Sequence, residues 1–411
     1  MQDLGLYLSV PFCRAKCSFC NFASDAFAPG RLPLYVRRLC NEIGSARADV
    51  PYLGAHLPTE VDTLYFGGGT PSLLLPEHVR HIFANLRNQF SFASESEITV
   101  ECAPNQLSQA TLEEFQRQGV NRLSFGIQSF SDRESAAIGR LHTAEQCLLE
   151  IDRVRSAGIL NLSLDLIAGL PHQTEASWRA SIDQAIATSV PHISIYMLEV
   201  DDASRLGREI LLGGSRYGAS AVPSDDDSVA FYEIACDLLE AEGIAQYEIS
   251  NFARPGFASA HNLKYWQRKP YLGFGLDAHS MLCTPSGAVR FANGDDLDAY
   301  LSDTSQGPSR EENPFAMLAA PRVPDRITQE QAFEETIFLG LRLNEGLGFE
   351  ALRREFGDNS VDSIMPALVE AAANGLVALG GIGVRLRGRG RVLSNEVFSN
   401  LLIPKTASPL S

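Results

Sequence analysis

Basic residues are scarce in this chain. It carries 34 lysines and arginines against 50 aspartates and glutamates, a net charge of −16. A general nucleic-acid binder needs excess cations for phosphate contacts, so that class is not expected. Long apolar runs are also lacking. No window of 18 apolar residues exists, which argues against a membrane-spanning helix. A basic leader is missing as well: "MQDLGLYLSV" already alternates like a strand, so no secretory signal is expected. A disulfide framework is the last absence. Cys40, Cys102, Cys147, Cys236 and Cys283 are scattered singly, which suits a reducing, cytoplasmic setting.

What is present is a repeating α/β rhythm. At about 150 residues per domain, 411 residues suggest two or three domains. Six apolar runs read as strands: Gly5–Val10, Val61–Phe66, Glu97–Cys102, Arg122–Ile127, Asn161–Ile167 and His192–Leu198. Helical patterns lie between them, including one capped by Ser108 and stopped by Gly119. Six βα units at roughly 30-residue intervals predict a parallel sheet in a partial (β/α)6 barrel. A Gly-, Ser- and Asp-rich excursion follows residue 200, and the rhythm ends after Asn293. Three helices, a small hairpin and a final helix then suggest a winged-helix-like unit. The expected division is 1–295 and 296–411. Arg385, Arg387, Arg389 and Arg391 fall on the expected wing, where charge would guard an exposed edge, with nucleic-acid contact as the alternative reading.

Ligands of parallel βα folds bind beyond the carboxyl ends of the strands. The first strand leads into "VPFCRAKCSFC", with Cys13, Cys17 and Cys20. The second leads into "GGGTP" (Gly67–Pro71); the third ends in Glu101, Gln128 follows the fourth, Asp165 lies on the fifth and Tyr196 on the sixth. Each feature also has a plain structural reading: a tight turn for the glycines, a cap or ion pair for the carboxylates. Their placement at one face favours a single site. Three thiols are one short of a structural zinc site, for which Asp25 or Cys40 could complete the set. A [4Fe–4S] cluster held by three cysteines instead leaves one iron open for chemistry.

C-x3-C-x2-C after the first strand, Phe19 before its last cysteine, and GGGTP after the second strand resemble the radical S-adenosylmethionine (SAM) superfamily. "LYLSVPFC", "FGGGTPS", "ECAPN", "RLSFGIQSF", "LHT", "NLSLDLIAGLP" and "LSNEVF" narrow the resemblance to the oxygen-independent coproporphyrinogen III oxidase group, from Gly5 to Phe398. The resemblance implies a [4Fe–4S] cluster on Cys13, Cys17 and Cys20, whose fourth iron is chelated by SAM. It also implies SAM contacts at Tyr7, Phe19, Gly68, Gly69, Thr70, Glu101, Gln128, Arg140 and Asp165.

Within that group the oxidases have a further cysteine two positions after the third, where this chain has Phe22, and an arm before the first strand, where only six residues precede Tyr7. "HNLKYW" (His261–Trp266) matches the H-N-x-x-Y-W motif of the haem-chaperone branch. That branch implies haem as a third cofactor and haem-accepting proteins as partners, with a homodimer and peripheral membrane association through acceptors left open. His261 would be the axial ligand, with Tyr265 and Trp266 as flat faces, in a site that need not share the cluster's pocket. The plain alternative is a buried, hydrogen-bonded histidine beside two core aromatics. His279, in "GLDAHS", is the second candidate ligand. A porphyrinogen oxidase and a radical-SAM enzyme on another substrate remain the competing functions.

Overall fold

The computed structural model describes residues 3–26, 30–302 and 324–401. Six strands form the centre of the fold: β1 Leu4–Val10, β2 Glu60–Gly68, β3 Ser91–Cys102, β4 Arg122–Gln128, β5 Asn161–Ala168 and β6 His192–Met197. They pair in parallel in that order. Alternation along each strand separates two environments. Leu4, Leu6, Leu8 and Val10 are buried in the main core, whereas Gly5, Tyr7 and Ser9 face the lumen. Capped helices return the chain between strands. Ser108, Thr143 and Thr174 each accept a backbone N–H as N-caps. The chain thus forms a partial α/β barrel whose strand ends share one edge.

The sheet is larger than the sequence pattern implies. Tyr271–Phe274 adds a seventh parallel strand outside β1. Antiparallel strands His279–Thr284, Gly287–Ala292 and Asp325–Ile327 extend that side, and Asn251–Ala253 and Ala245–Glu248 extend the other, giving twelve strands. These added strands are three to six residues long, too short for a clear alternation.

A second core collects Phe333, Ile337, Leu341, Leu352, Val361, Leu368, Val377 and Val384 among others. It joins the helices Gln329–Arg342, Phe349–Phe356 and Asp358–Ala373 to a three-stranded sheet. The expected boundary after residue 295 cuts through a packed region. Leu297 and Tyr300 belong to the first core, and Asp325–Ile327 pairs with the first domain's sheet. Residues 303–323 and 402–411 of the expected second unit lie outside the described residues. The expected wing is also shorter. Only Arg385 lies on the strand Gly383–Leu386; Arg389 and Arg391 sit on the short helix Gly388–Val392.

Glu42 pins the late chain to the barrel. Its buried carboxylate accepts from Asn293 Nδ2 and Tyr300 Oη, both at 2.6 Å, and from the Gly275 N–H at 3.1 Å. Tyr35 acts in parallel, donating to the Ser9 carbonyl at 2.7 Å and accepting from the Leu276 N–H at 2.9 Å. Replacing Glu42 with Ala strands three buried donors. Glu42→Ala should lower stability by roughly 3 kcal/mol in urea unfolding, while Glu42→Gln should lose less.

Candidate functional site

The cluster loop runs from β1 across the strand ends. Phe12–Cys13 pairs with Asp25–Ala26, which closes the loop on itself. Cys17 is buried, and Cys13 and Cys20 are partly exposed. The three thiols share one electrostatic neighbourhood: Cys17 raises the pKa of Cys13, and Cys17 and Cys13 both raise that of Cys20, each beneath a larger effect of burial. Donors are aimed at the sulfurs. Thr70 Oγ1 reaches Cys13 Sγ at 3.6 Å, and Arg140 Nη1 reaches Cys17 Sγ at 3.5 Å.

Among the described residues, no three His, Cys, Asp or Glu side chains converge on a single metal ion. The three ligands of a cubane cluster bind different irons and stand farther apart than ligands of one ion. Three thiols on one loop, with donors at two of their sulfurs, suit that ligand set. Cys40 is no fourth ligand. It lies on the helix Leu32–Asp49 in the main core, where burial pushes its thiol up to about 11.

The glycine loop packs directly on this segment. The Gly69 N–H donates to the Val10 carbonyl and the Thr70 N–H to the Phe12 carbonyl, at 3.0 and 2.8 Å. A Cβ on Gly69 would lie 2.6 Å from the Val10 oxygen and 2.7 Å from the Phe12 nitrogen. Gly68 has φ +96°, a conformation that favours glycine. Both residues are required by the local geometry.

The lumen beside this loop is acidic and confined. Glu101 accepts from Tyr65 Oη at 2.9 Å and from the Gly68 N–H. Surrounding protein raises its pKa to about 7, and Asp165 adds to the shift. Asp165 is also raised by burial, against hydrogen bonds from Ser194 and from Ser124 Oγ, the latter long at 3.2 and 3.3 Å to its two oxygens. Gln128 holds φ +71°, an uncommon conformation for a side-chain-bearing residue. Arg140 also donates to the Gly126 carbonyl, and its buried Nε has no partner among the described residues. Phe19 packs toward Ile138, Ile167 and Leu170. Tyr7 stacks on Tyr65 with centroids 6.1 Å apart. A carboxylate pair, a guanidinium and glycine backbone in one lumen suit a ligand that is cationic at one end and carboxylate-bearing at another. Tyr65 and Ser124 escaped the sequence reading. Period-two alternation through Gly67 and Gly126 would have placed both on the lumen face.

The structure differs from the expectation at His261. This imidazole is 1% exposed. Its Nδ1 lies 2.9 Å from Thr63 Oγ1 and its Nε2 lies 2.9 Å from Tyr265 Oη, and it stacks on Tyr65 at 5.2 Å. Burial, then Lys264 and Arg122, lower its pKa to about 3, so it stays neutral. Both ring nitrogens are occupied, and no lone pair is free for iron in this arrangement. Trp266 differs too: the Arg342 guanidinium covers its ring at 4.3 Å. Tyr265 alone of the three lines an open cavity, together with Tyr7, Gly68 and His279.

Comparison with known proteins now bears on these features. Residues 7–185 match the radical SAM superfamily, and residues 327–393 match the HemN C-terminal domain. The haem chaperone HemW of Bacillus subtilis is 32% identical over 402 residues, covering 96% of this chain and 98% of that protein. The chain belongs to the HemW family. HemW of Escherichia coli is 35% identical over 291 residues, 70% of this chain and 73% of that one. The solved structure of the radical SAM coproporphyrinogen III oxidase HemN of E. coli matches with a TM-score of 0.81, covering 98% of this chain and 90% of its own. At 21% identity that likeness establishes the shared fold. Membership in the radical SAM superfamily carries with it a [4Fe–4S] cluster and SAM. No described helix is long and apolar enough to cross a membrane.

Two outcomes follow for the site. Cys13→Ala, Cys17→Ala and Cys20→Ala should each abolish a reconstituted complement of about four irons, whereas Cys40→Ala should keep it, as read by iron and sulfide analysis. SAM affinity should depend on Glu101. Below about pH 7 this carboxyl is protonated and would no longer attract the positive end of a SAM bound beside it. Equilibrium binding should therefore tighten by up to roughly tenfold from pH 6 to pH 8. In Glu101→Gln that component should vanish, leaving only the titration of SAM's own amino group.

Proposed function

We propose that this protein binds haem and delivers it to haem-requiring proteins, with a [4Fe–4S] cluster on Cys13, Cys17 and Cys20 and SAM in the lumen. The observation that carries the reading is the near full-length similarity to relatives named haem chaperone HemW. At the site it is supported by Phe22, which stands 66% exposed where an oxidase would present a further cysteine. Cluster and SAM together supply a strongly reducing centre and a source of a 5′-deoxyadenosyl radical. The chain's part is to hold them. The three thiolates bind the cluster, Arg140 clamps the carboxylate of SAM, and Glu101 and Asp165 accept from its amino and ribose groups. Tyr7, Phe19, Gly68, Gly69, Thr70 and Gln128 complete the wall. The partners are haem and acceptor proteins met in the cytoplasm or at a membrane surface, and a homodimer is compatible with this role.

Anaerobically reconstituted protein should bind roughly one haem per chain, seen as a Soret band, and should transfer it to a haem-free acceptor such as an apo-cytochrome. The same sample given SAM, reductant and coproporphyrinogen III should yield no protoporphyrinogen. Robust oxidative decarboxylation would assign the protein to the oxidases, and absence of haem binding would end the chaperone reading.

A further inference from the structure

His279 stands apart from the other histidines. Its Nδ1 lies 2.9 Å from the Asp277 carbonyl. A carbonyl can only accept, so Nδ1 carries the proton and the lone pair is on Nε2. Metal-bound imidazoles are oriented in this way, by a hydrogen bond from the other ring nitrogen. His261 and His192 have both nitrogens engaged with hydroxyl groups. His279 is exposed, and of the chain's eight histidines it alone lines the cavity beside the cluster loop.

That cavity, of about 300 Å³, has flat walls. Tyr7, Tyr265 and Tyr271 contribute rings, with Leu276 beside them and Phe22 at the mouth. Tyr265 and Tyr271 meet edge to face at 4.7 Å, which fixes both. Across Phe22 and Leu276 lies a second, more polar cavity of about 380 Å³, lined by Lys16 and Asn21 as well as Asp277 and Asp295. The first cavity is at the lower end of the ligand-pocket range of roughly 300–1,000 Å³. It accommodates one face and edge of a large planar ring and leaves the rest in the opening. The mixed charges of the second suit hydrated carboxylates better than a tight ion pair.

We infer that this cavity is where the iron tetrapyrrole docks, with His279 Nε2 as its axial ligand and Tyr265 and Tyr271 against the ring. The inference rests on the haem-binding reading above. It recasts "HNLKYW": His261 is a positioning residue that holds the Tyr265 hydroxyl, and Tyr265 is the member of the motif that touches the ligand. It also places the haem against the wall that carries Tyr7 and Gly68, so the haem and SAM sites adjoin. A partly exposed ring with one protein ligand is held loosely enough to be passed on.

The test is haem titration of the reconstituted full chain, with His279→Ala and His261→Ala alongside. His279→Ala should lose at least tenfold in haem affinity and the spectrum of histidine-ligated iron. Added imidazole should restore that spectrum in His279→Ala, and iron content and SAM binding should stay at wild-type levels. His261→Ala should bind haem more weakly through a displaced Tyr265, keep histidine ligation in the haem that does bind, and gain nothing from imidazole. Wild-type affinity and spectrum in His279→Ala would overturn the inference, as would a loss that imidazole does not repair. Imidazole rescue of His261→Ala in place of His279→Ala would move the iron to His261. Failure of the unaltered protein to bind haem would instead remove the reading on which the inference rests.

Discussion

A parallel sheet that stops short of closing leaves its lumen without a floor, and the helix Ala260–Trp266 fills that gap. Its seating depends on charge and hydrogen bonds more than on apolar packing. Glu97 accepts from Ser259 Oγ and from the N–H groups of Ala260 and His261 at 3.1 to 3.3 Å, so a carboxylate meets the positive end of the helix. Lys264 is almost fully buried and pairs with Asp62 at 2.7 Å. His261 then links Thr63 on β2 to Tyr265 on its own helix. Removing this helix would open the lumen and release the tyrosine walls on both sides of it.

The floor also explains the electrostatics above it. Arg122 is buried at the start of β4, and its Nε and Nη2 have no hydrogen-bond partner among the described residues. Its charge lowers the pKa values of His261, His192 and Asp165. Burial keeps the neighbouring imidazoles neutral and this cation reinforces it, while partly offsetting the cost of burying Asp165. The lumen is thus layered, with neutral imidazole and guanidinium below and Glu101 with Asp165 above, next to the cluster loop. A cationic ligand group is attracted to the upper layer.

The second domain is tied to the same floor. Arg342 pairs with Glu248 at 3.4 Å while covering Trp266, and Arg268 donates to Glu335 at 3.1 Å and to Thr336 at 3.2 Å. Ile249, from the end of the barrel region, enters the second core. The last residue of the "HNLKYW" stretch is therefore a domain contact. One short motif supplies a floor to the barrel, a wall to the cavity and an anchor to the next domain, and each role falls on a different side chain.

Much of the site could be read directly from the chain. Cys13, Cys17 and Cys20 lie within eight residues, and the Gly68–Thr70 turn and the six long strands are local features, so their spacing carried the three-thiol loop, the sheet and the edge where its strands end, while the radical SAM resemblance implied what the thiols hold. The parts that escaped depend on distance along the chain. Thr63 and His261 are 198 residues apart, and nothing in either neighbourhood shows that one occupies the other's ring nitrogen. The free nitrogen of His279 is likewise set by the Asp277 carbonyl, turned where that residue adopts φ +55°. The cavity draws on residues 7, 22, 68, 265, 271 and 279, brought together by the short strand that pairs outside β1. Residue type and spacing decided which chemistry the chain can hold. Tertiary structure alone decided which imidazole is exposed and free, because burial and hydrogen-bond occupancy belong to neighbours that only folding supplies.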